Sequence, residues 1–193
     1  MKQYMNSIGK NARKASLEKI NTKVKNKVLN KYALLIDKEK NSILKANSED
    51  IKYAIKKKLK KNLIARLSLN QKKLNDIKKS IKKIVKLKDP IDNTLQKWNR
   101  PNGLRISRVS IPIGVIGIIY ESRPNVTSDV ASLCFKSGNV AILKGGSEAI
   151  NTNKILAKLF RKALKVNKVN ENFIQFINNK NRKIVDFMLS KMK

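Results

Sequence analysis

Two short stretches hold the residues best suited to chemistry: "YESRPN", Tyr120 to Asn125, and "LKGGSEA", Leu143 to Ala149. Asn125 carries a side-chain amide that can donate N–H groups to a developing oxyanion. Its position suits equally well the N-cap of a following helix. In the second stretch Lys144 offers a positive charge, and Gly145 and Gly146 let a backbone approach a ligand closely. Ser147 and Glu148 then open a helix, and a helix N-terminus favours phosphate. Neither this turn nor the upstream "GVIG" is a GxGxxG fingerprint. Taken alone, a lysine and two glycines read just as well as a tight strand-to-helix turn with a solvated lysine. The single cysteine, Cys134, excludes an intramolecular disulfide. It shares a helical face with Val130 and Leu133, which predicts a buried structural thiol rather than a nucleophile. The chain has no histidine.

The elements that position these residues follow from periodicity. Residues 1–92 read as a helical layer. Val24, Val28, Tyr32, Leu35 and Ile36 recur at helical spacing, and so do Leu74, Ile77, Ile81 and Ile84. Asn47 or Ser48 is expected to cap a helix with Glu49 and Asp50 in its first turn. Asp89-Pro90 closes the layer. No residue of this part suggests chemistry. Residues 93–193 change period. "LQKWNRPNGLRISRVSIPIG" alternates around Asn102-Gly103, a hairpin signal. Strand 114–120 is a continuous apolar run, expected to be buried on both faces. A helix with Gly138 at its C-cap follows, then strand 139–144, a helix from Ser147, the strand "NFIQFIN" and a last helix over 181–192. The fold class is therefore α/β: N-terminal helices, a β-hairpin, then a Rossmann-like parallel βαβαβα half. Ligands of such sheets bind at the carboxyl ends of the strands, where both stretches lie.

Composition bounds the function. With 45 Lys and Arg against 13 Asp and Glu, the net charge is +32. That charge fits a nucleic-acid partner. The lysines, however, travel with asparagine and isoleucine, the mix that AT-biased coding produces. Lys56, Lys57, Lys58, Lys60 and Lys61 fall on several helix faces, and aromatics make up only 5%. Nucleic-acid contact is therefore expected to be non-specific. No apolar run reaches membrane-spanning length, and the cytoplasm is the expected location.

The run "RVSIPIGVIGIIYESRPNVTSDVASLCFKSGNVAILKGGSEA" resembles glutamate-5-semialdehyde dehydrogenases (gamma-glutamyl phosphate reductases) of the aldehyde dehydrogenase superfamily. The likeness extends upstream through "ILKANSEDI", "ARLSL" and "LKDP", and downstream through "FIQFINNKNRKIVDFML". It implies NADPH-dependent reduction of L-glutamyl 5-phosphate to glutamate 5-semialdehyde, in proline synthesis. Asn125 would be the oxyanion donor. Lys144, Ser147 and Glu148 would hold the adenosine ribose and its phosphate of NADP(H), Gly145 and Gly146 would give clearance, and Tyr120 and Glu121 would line the same cleft. The resemblance also implies that the nucleophilic cysteine lies in a catalytic domain beyond these residues. The chain is then expected to be an N-terminal portion, inactive alone, with a separate C-terminal fragment or a homo-oligomer as partner. Two alternatives remain open: a non-catalytic dinucleotide-binding remnant, and a basic nucleic-acid-associated protein.

Overall fold

The structure, a computed structural model, describes residues 1–190. The end of the helix expected over 181–192 thus lies outside the described residues. Helices α1 (Lys2–Ser16), α2 (Thr22–Lys38), α3 (Lys40–Lys56), α4 (Lys61–Leu67) and α5 (Gln71–Lys86) come first. The hairpin strands β1 (Thr94–Asn99) and β2 (Arg105–Val109) follow. Then β3 (Val115–Ile119), α6 (Pro124–Lys136), β4 (Val140–Lys144), α7 (Ile150–Val166), β5 (Ile174–Phe176) and α8 (Lys183–Ser190) alternate.

The helical faces lie where the spacing predicts. Val28, Tyr32, Leu35 and Ile36 of α2 are buried, as are Leu74, Ile77, Ile81 and Ile84 of α5. Asn21 and Asn70 cap these two helices, each accepting a backbone N–H at 2.9 Å. The expected cap at Asn47 or Ser48 is overturned, because α3 runs through both. Ile43, Ala46 and Ala54 give it a continuous buried face. Asn47 is buried and serves a neighbouring segment, donating to Leu67 O at 2.9 Å and accepting from Leu69 N at 2.7 Å. Asp50, also buried, caps a different helix. It accepts from Thr152 N (2.8 Å), Thr152 Oγ1 (2.6 Å) and Asn151 N (3.2 Å) at the start of α7. Burial pushes the Asp50 carboxyl up despite those bonds.

β1 and β2 pair antiparallel, and Gly103 takes φ +82° in their turn. β3, β4 and β5 form a parallel sheet in that order, with β4 central. This is the order of a Rossmann-type half. β4 is buried at every position. β3 departs from expectation: it is not buried on both faces. Ile116 and Ile118 are half-buried, whereas Val115 and Ile119 are 36% and 44% exposed. An edge strand with one face only partly covered, here by Met188 of α8 beside Gly117, shows this alternation.

The helical layer and the sheet share one core. α1 contacts all three parallel strands, α2 packs on α5 and α7, and α5 packs on α6. Tyr32, Phe135, Phe160 and Phe173 meet at its centre, with ring centroids 4.5 Å (Tyr32–Phe160), 5.8 Å (Phe135–Phe160) and 5.5 Å (Phe135–Phe173) apart. Gly138 follows α6 with φ +71°, the left-handed residue that ends the helix and turns the chain into β4. The buried stripe of α6 runs through Ala131, Cys134 and Phe135, so Leu133, expected on it, stands 48% exposed.

Candidate functional site

The ends of β3 and β4 are tied together, Tyr120 N donating to Lys144 O at 3.1 Å. Beyond them, Tyr120, Lys144, Gly145, Gly146, Ser147 and Glu148 line one cleft of about 190 Å³, joined by Lys180 and Arg182 from the segment before α8. The turn is shaped by its own neighbours. A Cβ on Gly145 would collide with Asn153 Nδ2 and stand 3.0 Å from the Tyr120 ring. One on Gly146 would collide with Ser122 Oγ and lie 2.9 Å from Ser122 N. The two glycines are thus required by protein packing. Ser147 and Glu148 form a 3₁₀ turn, and α7 starts only at Ile150.

Charge in this cleft is arranged by burial. Lys144 is buried and donates to Gly145 O at 3.0 Å. Burial pulls its ammonium below the usual lysine range, against the raising effect of Glu148. Glu148 accepts from Ser122 Oγ and Ser147 Oγ, each at 2.6 Å. Burial alone would raise its carboxyl. The two hydroxyls, its own backbone N–H and Arg182 together hold it below the usual range. Tyr120 shares a hydrogen bond with Thr127 Oγ1 at 2.7 Å, and burial pushes its phenol up to about 12. Thr127 in turn donates to Asn153 Oδ1 at 2.9 Å. Among the described residues, the fully buried Asn153 Nδ2 has no hydrogen-bond partner, and it abuts Gly145. The carboxyl-end position, the net positive rim and the carboxylate between two hydroxyls fit a phosphorylated ribose. The volume suits that end of a dinucleotide rather than the whole molecule.

Asn125 lies elsewhere. It is the second residue of α6, not its N-cap, which is Arg123. Its Nδ2 donates to Asp129 Oδ2 at 3.3 Å, and it faces a cleft of about 360 Å³. Arg66, Lys73, Asp76 and Ser80 line the same cleft, so the helical layer does supply polar side chains to the site, contrary to its sequence reading. Glu121 lines a third cleft, of about 340 Å³, with Ser122 and Arg66. It pairs with Arg66 at 3.4 Å and Arg123 at 2.6 Å. Cys134 is buried in the core as expected, and burial raises its thiol. The sequence reading missed Ser122, Thr127, Asn153 and Asp129. Only Ser122, which lies within "YESRPN", carried a signal; the others look like ordinary helix residues.

No family model matches the chain. It is 40% identical over 192 residues to the gamma-glutamyl phosphate reductase of Persephonella marina, covering 98% of this chain and 43% of that protein. The match to the Halothermothrix orenii gamma-glutamyl phosphate reductase is 44% over 184 residues, covering 93% and 44%. The solved gamma-glutamyl phosphate reductase of Thermotoga maritima superposes with a TM-score of 0.93 at 41% identity, covering 96% of this chain and 45% of that one. This chain is a homologue of the gamma-glutamyl phosphate reductases. It spans a little under half the length of the relatives it matches and corresponds to their N-terminal portion. A propionaldehyde dehydrogenase from Clostridium phytofermentans, 15% identical with a TM-score of 0.68, shows that the fold is aldehyde dehydrogenase-like. No helix among the described residues is long and apolar enough to cross a membrane.

Proposed function

We propose that this chain supplies the cofactor-side part of an NADPH-dependent reductase that converts L-glutamyl 5-phosphate to L-glutamate 5-semialdehyde. The reading includes a cytoplasmic role in proline synthesis. The observation that carries it is the 40% identity over 192 residues to a gamma-glutamyl phosphate reductase, with Asn125 and the Lys144–Glu148 turn at adjacent strand ends. NADPH would supply the hydride when bound. Lys144, Lys180 and Arg182 would face its phosphate charge, and Glu148 would accept from ribose hydroxyls. The Asn125 amide would donate to the oxygen of the reacting acyl group. Tyr120, Thr127 and Asn153 would hold the Gly145 turn in shape.

Reduction of an acyl phosphate by this route needs a thiolate to displace phosphate before hydride arrives. Cys134 is the only thiol and lies buried away from Asn125. We therefore propose that the nucleophile comes from another segment or another polypeptide, such as a separate C-terminal fragment. The 193 residues alone should show no turnover. The test follows NADPH oxidation with glutamyl phosphate generated in situ, using this chain and its Cys134→Ser variant. Turnover that the variant loses would place the nucleophile at Cys134 and overturn this reading. Calorimetric titration of NADPH tests the cofactor assignment. Unchanged binding in a Lys144→Ala, Ser147→Ala double variant would contradict it.

A further inference from the structure

The cleft beside Asn125 has an apolar floor of Leu69 and Ile77 and a rim of both signs, Arg66 and Lys73 against Asp76 and Asp129. With 45 basic residues to 13 acidic, an arbitrary groove on this chain would have a cationic wall. Asp129 is half-buried and held by Ser80 Oγ at 2.8 Å and Asn125 Nδ2 at 3.3 Å. Neither holder is a cation, and Asp129 enters no ion pair among the described residues. Its carboxylate is therefore fixed in position with its charge left uncompensated, an arrangement that favours a cationic ligand. Arg66 is 47% exposed, and its contact with Glu121 is a loose surface pair. Its guanidinium can turn to a carboxylate and bind it in bidentate fashion. Lys73 is less free, since its ammonium already donates to Ala65 O and Ser68 O.

We infer that this cleft recognises the α-amino acid end of the substrate, Asp129 taking the α-ammonium group and Arg66 the α-carboxylate, while Asn125 faces the acyl end. The inference rests on the acyl-phosphate reading above. In L-glutamyl 5-phosphate two methylenes separate the α-carbon from the acyl carbon, a span that a cleft of about 360 Å³ accommodates. One carboxylate then does two things. Asp129 meets the ammonium group, and it also orients the Asn125 amide, so that its Nδ2 keeps one N–H for the acyl oxygen.

The test uses the ¹⁵N-labelled chain and follows the side-chain amide of Asn125 by NMR during titration with L-glutamate, glutarate or 4-aminobutyrate. Glutarate lacks the ammonium group, and 4-aminobutyrate lacks the α-carboxylate. Bulk electrostatics instead ranks glutarate above L-glutamate, because the doubly charged glutarate is drawn most strongly to a chain of net charge +32. The expected result is that L-glutamate binds at least tenfold more tightly than either analogue. Asp129→Asn should abolish the preference over glutarate, and Asp76→Asn should leave it intact. Arg66→Gln, at an exposed position, should abolish the preference over 4-aminobutyrate and decides the matter if Asp129→Asn does not fold. If glutarate binds as tightly as L-glutamate and both shift Asn125, ammonium recognition fails while the acyl-end reading stands. If no ligand shifts Asn125, both fail.

Discussion

β3 and β4 are each five residues long, and their apolar stretches, "VIGII" and "VAILK", look alike. β4 is buried at every position, and β3 at none. β4 is hydrogen-bonded on both sides, to β3 and to β5, and α1 and α6 pack on it. Among the described residues, β3 is bonded on one side only. The segment leading into it is more open still, with Ile111 73% and Ile113 85% exposed. An apolar run therefore specifies a strand but not its neighbours. The difference bears on function. The Lys144 turn stands on the rigid central strand, while the residues leading to Asn125 stand on the edge strand. What ties the second to the first is the Tyr120 N bond to Lys144 O, the hydrogen bond of Ser122 to Glu148 and the Tyr120–Thr127–Asn153 chain.

The largest effect should come from the centre of β4. Leu143 is fully buried, and Leu143→Ala should lower the unfolding free energy by about 4 kcal/mol, counting lost transfer energy and the cavity left behind. Urea unfolding followed by circular dichroism measures it. A loss below about 1 kcal/mol would mean that β4 is not the central strand in solution.

The next effect lies at the foot of the same strand. Lys25, 3% exposed, donates to Asp89 Oδ1 at 3.1 Å and Oδ2 at 2.9 Å, and Thr22 Oγ1 donates to Oδ2 at 2.8 Å. Lys25 Nζ sits 3.7 Å from where a Cβ of Gly138 would stand, just before β4. Asp89→Ala leaves that ammonium buried without its partner and should cost about 3 kcal/mol. Partial burial raises the Asp89 carboxyl, but Lys25, Thr22 and the Ile91 N–H outweigh it and hold the carboxyl below its ordinary value. A depressed folded-state pKa gives stability that is present above the unfolded-state value, near 4, and lost as the pH falls below it. The variant should therefore show a flatter acid limb of stability against pH. An unchanged limb would remove Asp89 from the acid response.

At the top of the strand, Gly146→Ala forces a methyl against Ser122 and should cost about 2 kcal/mol. Gly103→Ala in the hairpin meets open space, and only its φ of +82° opposes it, so about 1 kcal/mol is expected. Equal losses at the two glycines would mean that the β3 and β4 turns are not locked together.

Much of this was legible in the sequence. The helical stripes, the Asn102-Gly103 turn, the parallel order and the Lys144–Glu148 turn all follow from local periodicity or turn chemistry. What stayed hidden is what only tertiary contact decides. Asp50 looks like a first-turn acid of its own helix, yet it caps α7, 101 and 102 residues further along. Asn47 looks like a cap and instead joins α3 to the chain after α4. Surface lysines such as Lys57 and Lys58 are exposed as expected, but Lys25, Lys136 and Lys144 are buried. Lys136 Nζ donates to Asn26 Oδ1 at 2.7 Å and Val85 O at 3.0 Å, and no pattern separates it from its neighbours. Asp129 was passed over for the same reason, since its partners Ser80 and Asn125 come from two different helices.

The smallest expected effect tests the edge itself. Ile119 is the last residue of β3 and is 44% exposed on the partly covered face. Thr keeps the β-branched shape that suits a strand, so Ile119→Thr changes little besides the removal of apolar surface already partly in water. Its cost should be within about 0.5 kcal/mol, against about 4 kcal/mol for Leu143→Ala. The comparison needs equal chain concentrations, because a face covered by a second copy would make stability depend on concentration. Urea unfolding at two concentrations tenfold apart separates the cases. A loss of 1.5 kcal/mol or more that grows with concentration would show that the β3 face is covered in solution. The same loss at both concentrations would show that it is covered within one chain, and the contrast between β3 and β4 would fall.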